Sequence, residues 1–329
     1  MEELDLVQAN SDDSSAAINL DEIIRCPRCY SPLQGLAGTK PQCTNSDCAY
    51  ATEGFITVAG RPILIDFDRS IFSATAFTDG EGSVIARNYR GTSRTSFRRL
   101  INGFNRAARA KSFEFISRLS SSGRRPRVLI LGGGTLGSGS EALYQTDAVE
   151  LVSIDVYASP YTMIVADGHH LPFCDGSFDG VWIQAVLEHV LDPPVVVKEI
   201  YRVLRLGGLV YADTPFMQQV HEKAYDFTRF TLSGHRWLFR NFEQIDAGAV
   251  GGAGTASFWS ARYLLRAMGL GDDIARLITL PLFWLRFLDR VAKLRPNADA
   301  ASGVYFFGIK SNDVLAPKDM VSYYEGQLK

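Results

Sequence analysis

One segment limits the possible folds of this chain more than any other: Val128-Leu-Ile-Leu-Gly-Gly-Gly-Thr-Leu-Gly137. A run of strand-forming residues leads directly into a loop that carries Gly132, Gly133, Gly134 and Gly137. An apolar strand that ends in such a loop, ahead of a helix, lets a ligand approach the backbone closely. The segment therefore predicts a site for a nucleoside-containing cofactor, without saying which one.

A carboxylate that suits such a cofactor follows at Asp155, which ends the apolar run Leu151-Val-Ser-Ile-Asp155. At this spacing a second strand presents an acid to ribose hydroxyls. The pattern Gly132-x-Gly134-x-x-Gly137 also fits a dinucleotide-binding loop, so these residues alone leave a nicotinamide enzyme open.

Short apolar segments alternate with helical ones along the rest of the chain. Strands are expected at 127–131, 151–155, 162–166, 179–184 and 208–213, with helices from 137, at 193–205 and at 231–239. Such alternation predicts a doubly wound α/β domain with a mostly parallel sheet. Residues 304–309 form a closing strand in this interpretation, and 255–295 a helical insertion.

The composition divides the chain into one large domain and a smaller one. A length of 329 residues with 46% hydrophobic residues suffices for a full core. The predicted boundaries are an acidic, disordered lead-in at 1–20, a cysteine-bearing unit at 21–69, a linker at 70–95, the α/β domain at 96–315 and a C-terminal tail at 316–329.

Four of the five cysteines are clustered near the N-terminus, as Cys26-x2-Cys29 and Cys43-x4-Cys48. Two thiolate pairs at this spacing can supply a closed tetrahedral Zn²⁺ shell, which would be structural. The alternative is that reduced cysteines pack as small hydrophobic side chains. No apolar signal-like segment opens the sequence, so a cytoplasmic location and metal binding are expected rather than disulfides.

The segment 274–291 is amphipathic, with arginines among leucine, phenylalanine and Trp284. Its longest apolar run, 277–285, is too short to span a membrane. Packing against its own domain is the favoured interpretation. A lid, a dimer face or peripheral contact with a membrane surface are the alternatives.

Three ordered motifs lie downstream of the glycine loop. They are Ala166-Asp-Gly-His-His-Leu-Pro-Phe-Cys-Asp-Gly-Ser-Phe-Asp-Gly-Val181, Leu187-Glu-His-Val190 and Glu199-Ile-Tyr-Arg-Val-Leu-Arg-Leu-Gly-Gly208. Over about 127–216 this run resembles the class I S-adenosylmethionine-dependent methyltransferases, of the methyltransferase type 11-like group. The resemblance implies a Rossmann-like sheet of seven strands with the last one antiparallel, and S-adenosylmethionine as the cofactor.

The same resemblance assigns roles to single positions. The loop from Gly132 to Gly137 would pass under the methionine moiety and the ribose, and Asp155 would accept hydrogen bonds from the ribose hydroxyls. Asp167 would bind the adenine amine, with the backbone of Gly168 nearby. Gln184 would line the methionine and acceptor side.

One position departs from that family. An acid usually stands two residues before the first glycine of the loop, and here that residue is Ile130. The departure gives some support to a non-catalytic scaffold that keeps the fold without turnover.

The cysteine-bearing unit resembles the small Trm112-like zinc ribbons. The resemblance rests on the cysteine pairs, on Leu33 and on Val58-Ala-Gly-Arg-Pro-Ile-Leu64, in which Ala59 and Arg61 depart from the family. Domains of this type accompany or activate methyltransferases.

The acceptor is indicated by His221-x3-Tyr225-Asp-Phe-Thr-Arg229-Phe-Thr231, which resembles a segment of methyltransferases of glycan and surface-polysaccharide pathways. His221 is the candidate base for a hydroxyl acceptor. The alternative is a buried polar network that holds the helix beginning near Thr231. For Glu188 and His189 a structural role at a helix start is favoured over an acid–base pair.

A small-molecule or glycan acceptor is therefore the favoured prediction. An RNA methyltransferase is the alternative, since 88–127 holds eleven Arg or Lys residues against the single acid Glu114.

Overall fold

The computed structural model describes residues 20–36, 40–58, 60–78, 104–121, 124–290 and 296–324. Residues 1–19 of the predicted lead-in at 1–20, residues 79–95 of the predicted linker and residues 96–103 of the predicted α/β domain lie outside the described residues, as does the end of the C-terminal tail.

A mixed sheet forms the centre of the protein. The strands of the described residues are β1 (Leu33–Gln34), β2 (Gln42–Cys43), β3 (Thr57–Val58), β4 (Arg61–Leu64), β5 (Arg127–Leu131), β6 (Glu150–Asp155), β7 (Ile164–Ala166), β8 (Phe178–Gln184), β9 (Leu204–Pro215), β10 (Phe242–Gly251) and β11 (Gly303–Lys310). Nine of them form one sheet in the order β10-β11-β9-β8-β5-β6-β7-β4-β3, and β1 and β2 form a separate ribbon.

The strand directions are those of a doubly wound fold. β5 lies between β6 and β8 and is parallel to both, and β9 continues the parallel set beyond β8. β11 is antiparallel to β9 and to β10, as the prediction of an antiparallel closing strand required. The chain proceeds outward from β5 in both directions, so the carboxyl ends of β5 and β8 flank the topological switch point where ligands bind in such sheets.

The expected seven-stranded sheet needs a correction. Strands β5 to β11 account for seven, but the hairpin β3–β4 of the cysteine-bearing unit extends the sheet to nine. β4 runs parallel to β7, with Ile63 opposite Val165 and Leu64 opposite Ala166. The hairpin covers backbone groups that an exposed edge strand would leave unpaired. The cysteine-bearing unit is therefore continuous with the main sheet.

Strand β10 was missed by the sequence argument. Its segment, Phe242-Glu-Gln-Ile-Asp-Ala-Gly-Ala-Val-Gly251, is rich in glycine and alanine, which have low strand propensity. The strand forms nevertheless because it pairs along its whole length with β11. Tertiary pairing here overrides local preference.

Helices cover both faces of the sheet. The α-helices of the described residues are α1 (Ala49–Thr52), α2 (Ala74–Thr78), α3 (Arg106–Ser120), α4 (Glu141–Tyr144), α5 (Pro193–Val203), α6 (Leu232–Leu238), α7 (Ala253–Ala267), α8 (Asp272–Thr279), α9 (Leu285–Leu288) and α10 (Asp319–Tyr323). On one face, Phe115 of α3 packs edge-on against Trp182 of β8. On the other, Val196 and Ile200 of α5 are fully buried.

The helix predicted from residue 137 is shorter than expected. Only α4 forms there, as a single turn beginning at Glu141. Gly139 adopts a left-handed conformation, with φ of +91°, and a Cβ there would lie 2.4 Å from the carbonyl oxygen of Asn105. Because of this close approach, the segment after the glycine loop forms a turn, and the helix begins only at Glu141.

Residues 253–290 contain the expected helices. The Asp289 carboxylate accepts hydrogen bonds from the backbone N–H of Gly254, at 2.8 Å, and from the backbone and hydroxyl of Thr255. This carboxylate caps α7 and ties α9 to its start. Among the described residues no helix is both long enough and apolar enough to cross a membrane.

The cysteine-bearing unit shares its core with the sheet domain. Ile24, Cys26 and Phe55 belong to the same buried cluster as Phe173 and Phe178. Ile24 also forms an antiparallel bridge with Phe173. Unfolding the unit would expose apolar surface of the larger domain, so the two depend on each other for stability.

Candidate functional site

A cleft of about 1060 Å³ opens at the carboxyl ends of the parallel strands. It is lined by the glycine loop after β5, by the residues that follow β6, β7, β8 and β9, and by parts of α7 and the segment 283–290. The sheet order puts all of these segments at one edge. The residues predicted to bind a cofactor therefore lie around a single cavity.

The glycine loop packs tightly against its own protein. A Cβ at Gly133 would lie 2.1 Å from Ser153 Oγ, and a Cβ at Gly134 would lie 2.5 Å from the Tyr157 ring. Gly132 has a φ of +74°. Packing against β6 and the residues after it thus requires glycine at positions 133 and 134, whether or not a ligand is bound. A larger side chain at either position would displace the loop from Asp155.

Asp155 ends β6 and holds this loop in place. Its Oδ2 accepts a hydrogen bond of 2.8 Å from the Gly134 backbone N–H, and its Oδ1 accepts one of 2.7 Å from Val156. The side chain is largely buried and lines the cleft. Carboxylate oxygens have further lone pairs, so Asp155 can support the loop and still accept hydroxyl donors.

Asp167 follows β7 and is also buried at the cleft wall. Its Oδ1 accepts hydrogen bonds from the backbone and ring of His169, at 3.0 and 2.6 Å, and caps the turn Gly168–His170. Its Oδ2 accepts the Ser70 hydroxyl at 2.6 Å. Burial acts to raise the pKa of Asp167, but the bonds from His169 and Ser70 outweigh it, so the pKa is lowered and the carboxylate stays ionised.

Gln184 stands at the end of β8, between the glycine loop and the opposite wall. Its Nε2 donates to the Ser138 carbonyl at 3.1 Å, and a Cβ at Gly137 would lie 2.3 Å from its Oε1. Gly168 also lines the cleft. Six of the eight residues predicted to bind the cofactor line this cavity: Gly132, Gly137, Asp155, Asp167, Gly168 and Gln184. The other two, Gly133 and Gly134, lie in the same loop, and the Gly134 backbone N–H donates to Asp155.

Ile130 is buried in the apolar layer between the sheet and α3, so no charge stands at that point of β5. An acid that the sequence argument missed lies two strands away. Asp213 of β9 sits opposite Gln184 and accepts hydrogen bonds from Tyr211 and from Asn105 Nδ2, at 3.0 and 2.9 Å. Burial raises its pKa to about 7. Its place at the end of a predicted strand was the signal that could have identified it.

His221 lines the cleft beside two other titratable side chains. Its Nε2 is 3.9 Å from Glu188 Oε1, and its ring stacks edge-on against His189 at 5.0 Å. On its other side Nδ1 is 3.3 Å from Asp226 Oδ2, and Asp226 pairs with Arg229. The segment 221–231 thus forms a polar network, and its residues His221, Glu222 and Tyr225 also line the cleft.

Glu188 is the unexpected residue of this group. It is fully buried, it lines the cleft, and neither carboxylate oxygen has a hydrogen-bond partner within the described parts of the chain. Burial is the main cause that raises its pKa to about 8. A structural role for Glu188 alone does not account for this arrangement.

The four cysteines converge as the sequence predicts for a metal site. Sγ of Cys26 lies 3.8 Å from Cys48 Sγ, and Cys29 Sγ lies 3.4 Å from Cys43 Sγ. All four sulfurs are within 4.8 Å of one another. A tetrahedron with Zn–S bonds of about 2.3 Å has edges of about 3.8 Å, so the sulfurs fit a tetrahedral Zn²⁺ ion.

Comparisons with known proteins support the sequence argument for the α/β domain. Residues 137–212 match a family model described as a methyltransferase domain. A ubiquinone/menaquinone biosynthesis C-methyltransferase of Saccharophagus degradans is 38% identical over 69 residues, which cover 20% of this chain and 28% of that protein. A methyltransferase of Streptomyces halstedii is 46% identical over 50 residues, covering 15% of this chain and 18% of that protein.

This chain thus spans less than a third of the length of these curated relatives. Among solved structures, phosphoethanolamine N-methyltransferase 2 of Haemonchus contortus, in complex with S-adenosyl-L-methionine, is 13% identical with a TM-score of 0.43, covering 76% of this chain and 61% of that one. The segment from the end of the glycine loop to the middle of β9, residues 137–212, is similar to a methyltransferase domain.

Proposed function

We propose that the protein is an S-adenosylmethionine-dependent methyltransferase that acts on a small-molecule or glycan acceptor. One observation carries the proposal. The buried carboxylates of Asp155 and Asp167, at the ends of neighbouring strands, line the same cleft as the glycine loop. In the family that 127–216 resembles, these positions bind the ribose and the adenine.

The chain's own residues supply binding and orientation. The glycine loop and Asp155 hold the ribose side, Asp167 and the backbone of Gly168 hold the adenine side, and Gln184 lines the methionine side. The cofactor supplies an electrophilic methyl group, and the protein aligns the acceptor with it and excludes water. For a hydroxyl acceptor, His221 is the candidate base, with Asp226 placed at its Nδ1 to orient the ring.

The cysteine site has a structural role in this proposal. Cys26, Cys29, Cys43 and Cys48 would hold Zn²⁺ in a closed shell, and the ion would stabilise the unit that supplies β3 and β4 to the sheet. The Trm112-like assignment of this unit rests on its sequence resemblance.

RNA as the acceptor receives less support from the structure. Several basic side chains of the 88–127 stretch are paired with acids: Lys111 with Asp246, Arg118 with Glu114, Arg124 with Asp179, and Arg127 with Glu150. Paired charges produce a weak positive field, whereas RNA binding needs unpaired cations along a surface. A steep fall of RNA binding with rising salt would favour this alternative.

The test begins with cofactor binding by calorimetry on the full chain. We expect S-adenosylmethionine to bind and NAD not to bind. Asp155→Ala should weaken binding by about one to a few kcal/mol, the scale of lost hydrogen bonds to a charged group. Asp273→Asn is the matched control, because that side chain is 98% exposed and is not among the residues that line the cleft.

Unchanged affinity in Asp155→Ala would refute the ribose assignment. Binding of NAD without S-adenosylmethionine would favour a nicotinamide enzyme, and binding of neither would favour the non-catalytic scaffold. A screen for release of S-adenosylhomocysteine, with glycans, RNA and small metabolites side by side, then identifies the acceptor class.

A further inference from the structure

We propose that Glu188, His189 and His221 form a binding site for a divalent transition-metal cation on the acceptor side of the cleft. The proposal goes beyond methyl transfer, because the site requires neither S-adenosylmethionine nor turnover. It rests on the convergence of three ligand atoms, on the hydrogen bonds that orient both histidines and on a carboxylate that has no hydrogen-bond partner among the described residues.

Glu188 provides the first observation. Its side chain is 1% exposed, and both of its oxygens lack a hydrogen-bond partner among the described residues. A buried carboxylate without partners is costly, and proteins satisfy such groups with hydrogen bonds, opposite charges or metal ions. Ring nitrogens of His189 and His221 lie 3.6 and 3.9 Å from its Oε1, and imidazole nitrogens are themselves metal ligands.

The orientation of His189 leaves one nitrogen available to a cation. Its Nδ1 lies 2.7 Å from the Tyr225 carbonyl oxygen, which can only accept, so Nδ1 carries the proton. Its Nε2 then presents a lone pair, 3.6 Å from Glu188 Oε1. Metal-bound histidines usually donate their other ring N–H to a carbonyl or a carboxylate in this way.

His221 is oriented in the same manner. Its Nδ1 lies 3.3 Å from two acceptors, Asp226 Oδ2 and the Gln219 carbonyl oxygen, and 3.5 Å from the side-chain amide nitrogen of Gln218. Its Nε2 points toward Glu188 Oε1 at 3.9 Å. Arg229 pairs with both oxygens of Asp226 and keeps that carboxylate in place. Asp226 therefore supports His221 from outside the site.

The three ligand atoms lie within 4.8 Å of one another. A cation bound at about 2.1 Å from each needs them about 3 to 3.5 Å apart, so small side-chain rotations close the site. Two imidazoles and one carboxylate are the ligands of divalent ions from Mn²⁺ and Fe²⁺ to Zn²⁺, while Mg²⁺ and Ca²⁺ prefer oxygen alone.

The site is open toward the cleft, since all three residues line it. A three-ligand site with free positions can bind an oxygen of the acceptor and lower the pKa of a hydroxyl there. This consequence rests on the proposed function. In this arrangement His221 is a metal ligand and not a free base, and metal binding decides between the two roles.

The experiment is a titration of the full-length protein with Mn²⁺, in which electron paramagnetic resonance counts the free ion. Mn²⁺ suits imidazole and carboxylate ligands and avoids thiolate sites, so the cysteines do not compete for it. We expect one bound Mn²⁺ per chain. Glu188→Gln and His221→Asn should each weaken Mn²⁺ binding at least about tenfold. Removing a residue that only hydrogen-bonds to a metal ligand already weakens metal binding by about ten- to a hundredfold, and removing a ligand itself should cost no less.

His170→Asn is the control, because this histidine is not among the residues that line the cleft, and it should bind Mn²⁺ as the unchanged protein does. Failure of the unchanged protein to bind Mn²⁺ would overturn the proposal, as would equal affinity in all variants. S-adenosylmethionine calorimetry on the same samples separates the two proposals. If the protein binds S-adenosylmethionine but not Mn²⁺, only the cation-site proposal is refuted. If it binds Mn²⁺ but not S-adenosylmethionine, only the methyltransferase proposal is refuted.

Discussion

The Ser70 hydroxyl donates a hydrogen bond of 2.6 Å to Oδ2 of Asp167. Ser70 comes directly after the cysteine-bearing unit, and Asp167 is the proposed adenine ligand at the end of β7. The N-terminal segment therefore contacts the cofactor side of the cleft through a side chain as well as through the sheet edge. A change at either residue is expected to affect the other.

Replacing Ser70 by alanine tests this contact. Ser70→Ala removes one of the donors that keep Asp167 ionised and oriented, so we expect stability to fall by about 1–2 kcal/mol and S-adenosylmethionine to bind several-fold more weakly. Denaturant unfolding and calorimetry measure the two effects. Ser73→Ala is the control, because the Ser73 hydroxyl bonds only to the exposed Thr75 among the contacts seen. Equal cofactor affinity in both variants would argue against the link.

The cysteine site gives a second prediction. We expect metal analysis of protein purified without chelators to find zinc, and Cys43→Ser to lose it and to lower the melting temperature of the whole protein. The effect should extend to the whole domain because Cys43 shares a buried core with the sheet. Cys174→Ser is the matched control, since Cys174 lies outside the cluster. Absence of zinc in the unchanged protein would exclude the structural ion.

A third prediction concerns acid. His235 is buried against Phe230 and Phe239, and both ring nitrogens lack partners among the described residues. Burial lowers its pKa to about 3. Between about pH 6.5 and 3 the unfolded state therefore binds a proton that the folded state does not, and stability falls as the pH falls through this window.

The His235 contribution can be isolated with His235→Phe, which places another neutral ring among the aromatic residues. The loss of stability on acidification from pH 7 to 5 should be smaller in this variant, by up to about 1.4 kcal/mol per pH unit below 6.5. Denaturant unfolding at each pH measures it. If the free energy of unfolding changed with pH equally in the two proteins, His235 would be protonated in the folded state as readily as in the unfolded state.

Among the described residues, the helices of segment 253–290 carry the largest group of exposed apolar side chains. We call this group the insertion surface, and it comprises Leu264, Met268, Ile274, Leu277, Ile278, Trp284, Phe287 and Leu288. Leu277 is 71% exposed and Trp284 is 55% exposed. Packing against its own domain, the favoured sequence interpretation, does not account for this exposure.

We propose that the insertion surface makes peripheral contact with a membrane, since its exposed leucine, isoleucine, phenylalanine and tryptophan side chains can enter the apolar part of the membrane interface. The protein should then sediment with vesicles that contain anionic lipid, and Leu277→Glu should abolish this. Val321→Glu changes a residue outside the surface that is even more exposed, at 84%, and should have no effect. If the protein has twice the monomer mass in solution and does not sediment with vesicles, the insertion surface is a dimer face.

The sequence by itself predicted the alternation of strands and helices and the residues of the candidate cofactor site. Gly132 to Gly137, Asp155, Asp167 and Gln184 each lie at the end of an apolar strand, and parallel strands bring their carboxyl ends to one edge. Local pattern is enough for such residues, because the fold class already decides where strand ends meet. The clustering of the four cysteines followed from their spacing in the same way.

Only the tertiary structure decided which distant segments meet. Ser70 and Asp167 are 97 positions apart, and nothing local to either residue predicts their bond. The pairing of β4 with β7 and the formation of β10 likewise depend on an available partner strand. Glu188 is the clearest example. Its sequence motif suggested a helix start, but its proposed role as a cation ligand depends on burial and on His221, which a loop after β9 brings to within 3.9 Å. Burial and long-range contact are properties of the packed chain, so no local pattern encodes them.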